Sequence, residues 1–491
     1  MKKYLNNNKN IIFLLCLFMI IQPFLDMKVL FENPHLQIFG ITIPTIVRTL
    51  FICGIGLLTF LKSNNKKEKK WIIIYFIIVL IYSLIHHVVA SRPLEVPPSF
   101  KYSIISEAFY VIRMILPLTI IYITKHAKID YDKFINVILY SSMIIGLVIV
   151  ISNTLLISYT SYGTDGVYTK ANWFIWLIGG VSKYTFEELT SKGWFYMANQ
   201  IAGLTLLLLP ICINDMLKKI NVKNVLAVIS LTFAMIMLGT RTSAYGWLMA
   251  YVALVITPIL FYLIKYIKTI NFKPINILVL LFVVFLSILL VSPVQKRVYT
   301  RDLKPHIPSS DLEITGDIYK YIEDNYVGYG IQDMYIIDLY SYKYDPVFWL
   351  DVFERSKERI LDNRDIELLI SSRIMSRNEG RLYELFGYSF SRMRNGEIYI
   401  EKDFYAQKVT IGYIGLLVFI LPYFYYIFKL VLTSLQNKKI NLDLVAFLVS
   451  MIAAFGSSLF SGHILDELFV MLYVGFIIGY YLSTKKTKEM S

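Results

Sequence analysis

Residues 62–90 read KSNNKKEKK followed by WIIIYFIIVLIYSLIHHVVA. Five lysines stand before a run of apolar residues, Trp71–Ala90, that contains no Asp, Glu, Lys or Arg. As a helix rising 1.5 Å per residue, that run is long enough for a hydrocarbon core of about 30 Å. Helix is the one open-ended form that satisfies its own backbone hydrogen bonds inside lipid. The same alternation, a lysine-rich connection and then an apolar run, recurs outward in both directions along the 491 residues. Spans are expected near 11–30, 42–61, 71–90, 107–124, 134–158, 197–217, 222–240, 244–264, 274–293, 409–430, 441–460 and 464–483. Composition agrees: 56% of residues are hydrophobic, 17% are charged and mean hydropathy is +0.57, which excludes an ordinary soluble domain. Alternating patterns of the β-barrel kind are missing. The fold class expected is an all-α polytopic membrane protein with about twelve transmembrane helices.

The distribution of lysine sets the expected orientation. Of the 35 lysines, 23 lie in the two tails and in the connections 62–70, 125–133, 218–224, 265–273 and 429–440. Placing both termini in the cytoplasm puts all of them on one side, as the positive-inside rule requires. The net charge of +14 is thereby a topology signal and not a groove for nucleic acid. Cys16, Cys53 and Cys212 all fall in apolar runs, so neither a disulfide framework nor a metal-ligand spacing is read. The first apolar run follows Lys2, Lys3 and Lys9 and no small-residue cleavage site follows it, so it reads as a retained helix. No internal repeat is evident.

Three divisions follow: helices 1–9 in 1–293, an extracytoplasmic loop domain in 294–408, and helices 10–12 with a cytoplasmic tail in 409–491. The long loop holds 20 of the 35 acidic residues and 10 of the 14 arginines, yet apolar and aromatic residues recur throughout it, so it reads as a folded domain. Asp345-Pro346 predicts a helix start, a second helix follows Asp365, and a third runs through Glu379–Phe386 to stop at Gly387. The short apolar run Ala171–Val181, with Trp173 and Trp176, predicts a re-entrant or surface-lying helix.

Charges inside the apolar runs need a reason. Arg113 lies six residues beyond Glu107, about 9 Å further along a helix. Arg48 lies in the outer part of span 2, and Arg241 is the lone charge of the turn Gly239–Ser243. A guanidinium is a planar fork of donors that stays ionised, suited to a pyrophosphate. For Arg48 and Arg113 an internal ion pair or snorkelling to the interface reads equally well. His463, Asp466 and Glu467 have i, i+3, i+4 spacing that would suit a cation, although acids at a helix start are the commoner cause. His86 and His87 read as interfacial.

Several motifs in order carry a family resemblance. Gly239-Thr240-Arg241-Thr242-Ser243 with Ala244-Tyr245-Gly246-Trp247 resembles the Ser-Arg turn of bacterial O-antigen ligases and polysaccharide polymerases. Asn199-Gln200-Ile201-Ala202-Gly203 leading to Leu209-Pro210 is similar to the Asn-led helix before it. Asn378-Glu379-Gly380-Arg381 and Leu385-Phe386-Gly387 resemble the Arg-containing helix and Phe-Gly turn late in the large loop. Glu401-Lys402-Asp403-Phe404-Tyr405, with Gly412-Tyr413-Ile414-Gly415-Leu416, is similar to the His-Asn-Asp-Tyr stretch and Gly-Ile-Gly of that family, and Gln22-Pro23-Phe24-Leu25-Asp26 resembles Gram-positive members.

The resemblance implies a GT-C-like glycosyltransferase with no cofactor and no obligatory metal. Such an enzyme moves an undecaprenyl-diphosphate-linked oligosaccharide onto a glycan acceptor at the outer face of the plasma membrane. Arg241 would contact the pyrophosphate, with Arg48, Arg113, Arg377 and Arg381 as further candidates, and Glu401 or Asp403 would be the base. Glu401 stands where the ligases carry histidine, which leaves a polymerase more open than a ligase. Local capping or pairing is the other reading of both acids. Expected partners are the lipid-linked donor, the acceptor, the bilayer and other polysaccharide-export proteins, with no nucleic acid. A lipid-linked oligosaccharide flippase or a scaffold of an envelope assembly are the rival readings.

Overall fold

A computed structural model of the chain describes residues 8–32, 37–38, 41–162, 167–295, 317–358, 361–437, 440–460, 462 and 464–488. Apolar helices follow the lysine-bounded runs: α1 (Asn8–Ile21), α2 (Ile43–Lys62), α3 (Lys66–Ala90), α4 (Ile104–Ala127), α5 (Tyr131–Thr154) and α6 (Ala198–Lys218). They continue as α7 (Val222–Met237), α8 (Arg241–Leu263), α9 (Phe272–Leu290), α10 (Asp403–Gln436), α11 (Leu442–Phe460) and α12 (Leu468–Lys488). Among the described residues ten helices are long and apolar enough to cross a membrane, and α7 and Leu468–Thr484 are shorter apolar helices. The chain is an all-α polytopic membrane protein; its one described sheet is the two-residue pairing of Gln37–Ile38 with Ile41–Thr42.

Local chemistry sets the helix ends. Asp130 accepts from the Lys133 amide at 2.9 Å to start α5, and Asn221 and Asn224 form a reciprocal cap on α7. The first span is shorter as an α-helix than its apolar run suggests. It tightens into a 3-10 turn over Gln22–Asp26, because Pro23 lacks an N–H and clashes with the preceding turn. Within 171–181, where a re-entrant or surface-lying helix is expected, stands a five-residue helix, Trp173–Leu177.

The chain divides into two compact units. The first comprises residues to 69, 113–298 and 423 onward. Its axis is α6, 94% buried, packed by α5, α7, α8, α11 and α12. Small residues permit that packing. A Cβ on Gly146 of α5 would lie 2.6 Å from the Ser230 backbone of α7, and one on Gly246 of α8 would lie 2.0 Å from Leu206 of α6. Trp247 is fully buried and meets Tyr251, Phe282 and Phe285 edge-on.

The second unit comprises 70–112 and 299–422. Short helices Pro346–Ser356 and Asn363–Arg377 bury Trp349, Val352, Ile366, Ile370 and Ile374 in one core with Tyr335 and Ile336. Asp345 caps the first of these through the Phe348 amide at 3.2 Å, and Trp349 Nε1 donates to the Tyr340 carbonyl at 2.7 Å. Helix Arg381–Phe386 ends at Gly387, φ +86°, and α10 breaks its helical path at Gly412, φ +67°. The two glycines cross backbone on backbone: a Cβ on Gly387 would lie 2.3 Å from the Thr410 carbonyl, and one on Gly412 2.5 Å from the Gly387 amide nitrogen. Neither position admits a side chain. The Ile411 carbonyl at this break receives the Tyr82 hydroxyl at 2.7 Å.

Candidate active site

The turn carrying Arg241 is built in the first unit. Gly239 turns the chain with φ +68°, and a Cβ there would lie 2.5 Å from Thr190 Cγ2. Thr240 is the N-cap of α8: its Oγ1 accepts from the Ser243 amide at 3.1 Å. Ser243 Oγ in turn donates to the Met235 carbonyl at 2.8 Å, and the Ser191 amide donates to the Met237 carbonyl at 2.9 Å. Arg241 is therefore the first residue of α8, one step beyond the turn in which the sequence places it. Its side chain is half-buried, and among the described residues it makes no hydrogen bond or ion pair. A cation at a helix N-terminus also opposes the helix dipole, so an anion near it would be doubly favoured.

The other two membrane arginines are satisfied internally. Arg48 is buried in α2; its Nε donates to Gln22 Oε1 at 2.7 Å and its Nη2 pairs with Asp26. The Gln22–Asp26 segment is held in turn by the Tyr196 amide donating to the Asp26 carbonyl at 2.9 Å. Arg113 of α4 donates to the Asp466 carbonyl at 2.6 Å and lies 3.5 Å from Glu467 Oε2. Its charge also acts on Asp26. Asp466 and Glu467 precede α12, so helical i, i+3, i+4 spacing does not apply to them; His463 lies outside the described residues. No group of metal-holding side chains occurs among the described residues.

In the second unit the candidates separate by partner. Arg377 is bound to Glu95 and to Asp345, each at 3.1 Å, and lies over the Tyr344 ring. Arg373 also binds Asp345, at 2.8 Å. Burial pushes the Asp345 carboxyl up, but the Arg373 hydrogen bond, the Phe348 amide and the two arginine charges together hold it below the usual carboxylate range. Glu401 is paired with Arg364. Asp403 is the buried first residue of α10. Arg381 is exposed and makes no contact with a partner among the described residues.

A family model described as O-antigen ligase like membrane protein matches residues 7–487. The chain belongs to the O-antigen ligase-like membrane protein family. No curated protein matches it. Membership makes it a membrane enzyme acting on lipid-linked glycans. In this O-antigen ligase-like protein the motif residues divide into two kinds. Asn378 is structural: its side chain exchanges hydrogen bonds with the Glu95 backbone at 2.7 and 2.9 Å. Gly387 and Gly412 serve the backbone crossing. Arg241 has no such internal use among the described residues.

Sequence reading missed one buried cluster in the second unit. His86 is buried: Nδ1 donates to the Phe386 carbonyl at 2.5 Å and Nε2 faces Glu107 Oε2 at 3.2 Å. Glu107 also accepts from the Ser389 hydroxyl and from the Ser391 amide at 2.7 Å. Arg392, buried beside them, donates to the carbonyls of Ala90 and Arg92. Polar residues at helix ends gave a signal, but their partners lie some 300 residues away in sequence, which no local pattern encodes.

Proposed function

We propose that this O-antigen ligase-like protein transfers a glycan from undecaprenyl diphosphate to an acceptor sugar hydroxyl at the outer face of the plasma membrane, as a surface polysaccharide polymerase or ligase. The observation that carries this reading is Arg241: a half-buried guanidinium, fixed by a tightly bonded turn and without an anionic partner among the described residues. In a family acting on lipid-linked glycans, a diphosphate is the anion that fits a planar fork of donors. Both termini face the cytoplasm in this reading, and residues 294–408 form the extracytoplasmic domain.

Transfer breaks the bond between the anomeric carbon and the diphosphate oxygen and forms one to the acceptor oxygen. Arg241 neutralises charge gathering on the departing diphosphate; Arg113, bound to the Asp466 carbonyl and beside Glu467, is a further candidate. A loop carboxylate takes the acceptor proton. Glu401, paired with Arg364, and Asp403, buried at the start of α10, are the two candidates for that base. Arg48 and Arg377 are assigned positioning roles, because each already has carboxylate partners. Arg381, exposed and unpartnered among the described residues, is the loop arginine left for the substrate.

The test is polysaccharide production by cells carrying Arg241→Ala at normal protein level. Loss of polymer or conjugate with accumulation of lipid-linked repeat supports the reading; unchanged product removes it. Loss of product without accumulation on the outer leaflet would favour the flippase alternative.

A further inference from the structure

We propose that a groove in the first unit, walled by Leu156, Ile157, Tyr159, Tyr168 and Trp194, binds a pyranose ring of the glycan chain. The inference rests on the glycan-transfer reading for the source of the sugar, and on its own geometry for the site. The groove has a volume of about 300 Å³, at the lower end for small-ligand clefts. Three of its five walls are aromatic. Tyr159 and Tyr168 are stacked, with ring centroids 5.0 Å apart and planes 20° from parallel. Tyr168 is 50% exposed and Trp194 38% exposed, so both offer ring surface outward.

The rings are held by backbone and are not scattered along lipid-facing helices. Tyr159 and Tyr168 form an antiparallel bridge. The Tyr159 amide donates to the Gly193 carbonyl at 2.8 Å, and the Lys192 amide returns to the Tyr159 carbonyl at 3.0 Å. Trp194 Nε1 donates to the Ile157 carbonyl at 2.9 Å, which fixes the indole. Leu156 sits at φ +58°, a backbone conformation leucine rarely adopts, and it brings the chain around into the groove. Preorganised rings lose little freedom on binding.

The chemistry suits a sugar better than an acyl chain. A pyranose has an apolar C–H face, which stacks on an aromatic ring, and a rim of hydroxyls. The Tyr168 hydroxyl has no hydrogen-bond partner among the described residues and is available to that rim. The Lys28 ammonium lies 4.8 Å from the centre of the Tyr159 ring, so the aromatic wall carries a cation. The groove is also continuous in structure with the Arg241 turn. Ser158 and Ser191 share a hydrogen bond, Ser191 donates to the Met237 carbonyl, and Thr190 packs on Gly239. One folded segment thus walls the groove and braces the proposed diphosphate contact.

The experiment uses the full chain in detergent and, as probe, the host's oligosaccharide repeat released from its lipid carrier by mild acid. Dissociation constants are measured by saturation-transfer difference NMR. Wild type should bind with saturation reaching one C–H face of the sugar. Trp194→Leu and Tyr168→Leu, which keep apolar bulk and remove the ring, should each weaken binding about tenfold, the scale of one aromatic contact. Trp194→Phe should keep most of the affinity, which guards against loss through misfolding. Arg241→Ala should bind like wild type, because the probe carries no diphosphate. No binding by wild type, or undiminished binding by the Trp194→Leu, Tyr168→Leu double variant, overturns the site and makes the rings a membrane anchor. Failure of the transfer reading would show separately, as unchanged product from Arg241→Ala cells.

Discussion

Replacing Arg48 separates a structural arginine from a substrate-binding one. Arg48 and Asp26 have side-chain exposures of 2% and 3%, so water screens neither. Arg48→Ala strips Asp26 of its counter-charge and Gln22 Oε1 of its 2.7 Å donor. Removing one member of a buried pair costs about 3–5 kcal/mol, because the other charge is left desolvated and alone. Arg48→Met combined with Asp26→Leu removes both charges and leaves Gln22 as the one unsatisfied group, a loss of about 1 kcal/mol. With Arg48→Met and Asp26→Leu as the singles, each leaving one buried charge alone, the cycle should therefore give a coupling of at least about 5 kcal/mol. The assay is reversible unfolding in mixed micelles, scored with glycan transfer on the same preparations. Single variants within about 1 kcal/mol of the parent that nonetheless lose transfer would refute the structural assignment and return Arg48 to the substrate.

Further expectations follow from particular contacts. Gly412→Ala places a Cβ 2.5 Å from the Gly387 and Leu385 backbones, so the second unit should fail to assemble, read as loss of folded protein and of protease resistance. Asp345 has a folded pKa below its unfolded value, so its contribution to stability is complete above about pH 4 and is lost as pH falls through the lower folded value. Asp345→Asn should lower stability at pH 7 and flatten the acid limb of a pH-dependent melt; an unchanged acid limb contradicts this. Thr240→Ala removes the cap of α8, worth about 1 kcal/mol, and should reduce transfer more than stability, with Thr240→Ser restoring it.

Much of the fold could be read from hydropathy alone, since lysine-bounded runs such as Trp71–Ala90 leave the backbone no alternative to helix in lipid. Helix interruptions were less legible. The first span reads straight through Pro23 to residue 30, whereas the chain instead tightens into a 3-10 turn, and the break at Gly412 depends on a crossing with Gly387, which only tertiary structure supplies. The candidate site divides in the same way. Arg241 was readable because a lone charge in an uncharged turn is conspicuous. The fate of Arg48 and Arg113 was not, because equal sequence signals end differently once Asp26 and Glu467 are placed. The buried junction of His86 with Glu107 and Ser389 could not be assembled from sequence, because Ser389 comes from a stretch far from the other two.

The central claim is that Arg241 grips a prenyl diphosphate during glycan transfer. The most direct measurement is release of the carrier diphosphate from a purified lipid-linked oligosaccharide by wild type, Arg241→Lys and Arg241→Ala in the presence of acceptor. Loss of one preorganised donor to developing charge predicts a fall of about 10²–10³ in turnover for Arg241→Ala, with Arg241→Lys between, since an ammonium keeps the charge but not the fork. Equal turnover by all three proteins would contradict the account.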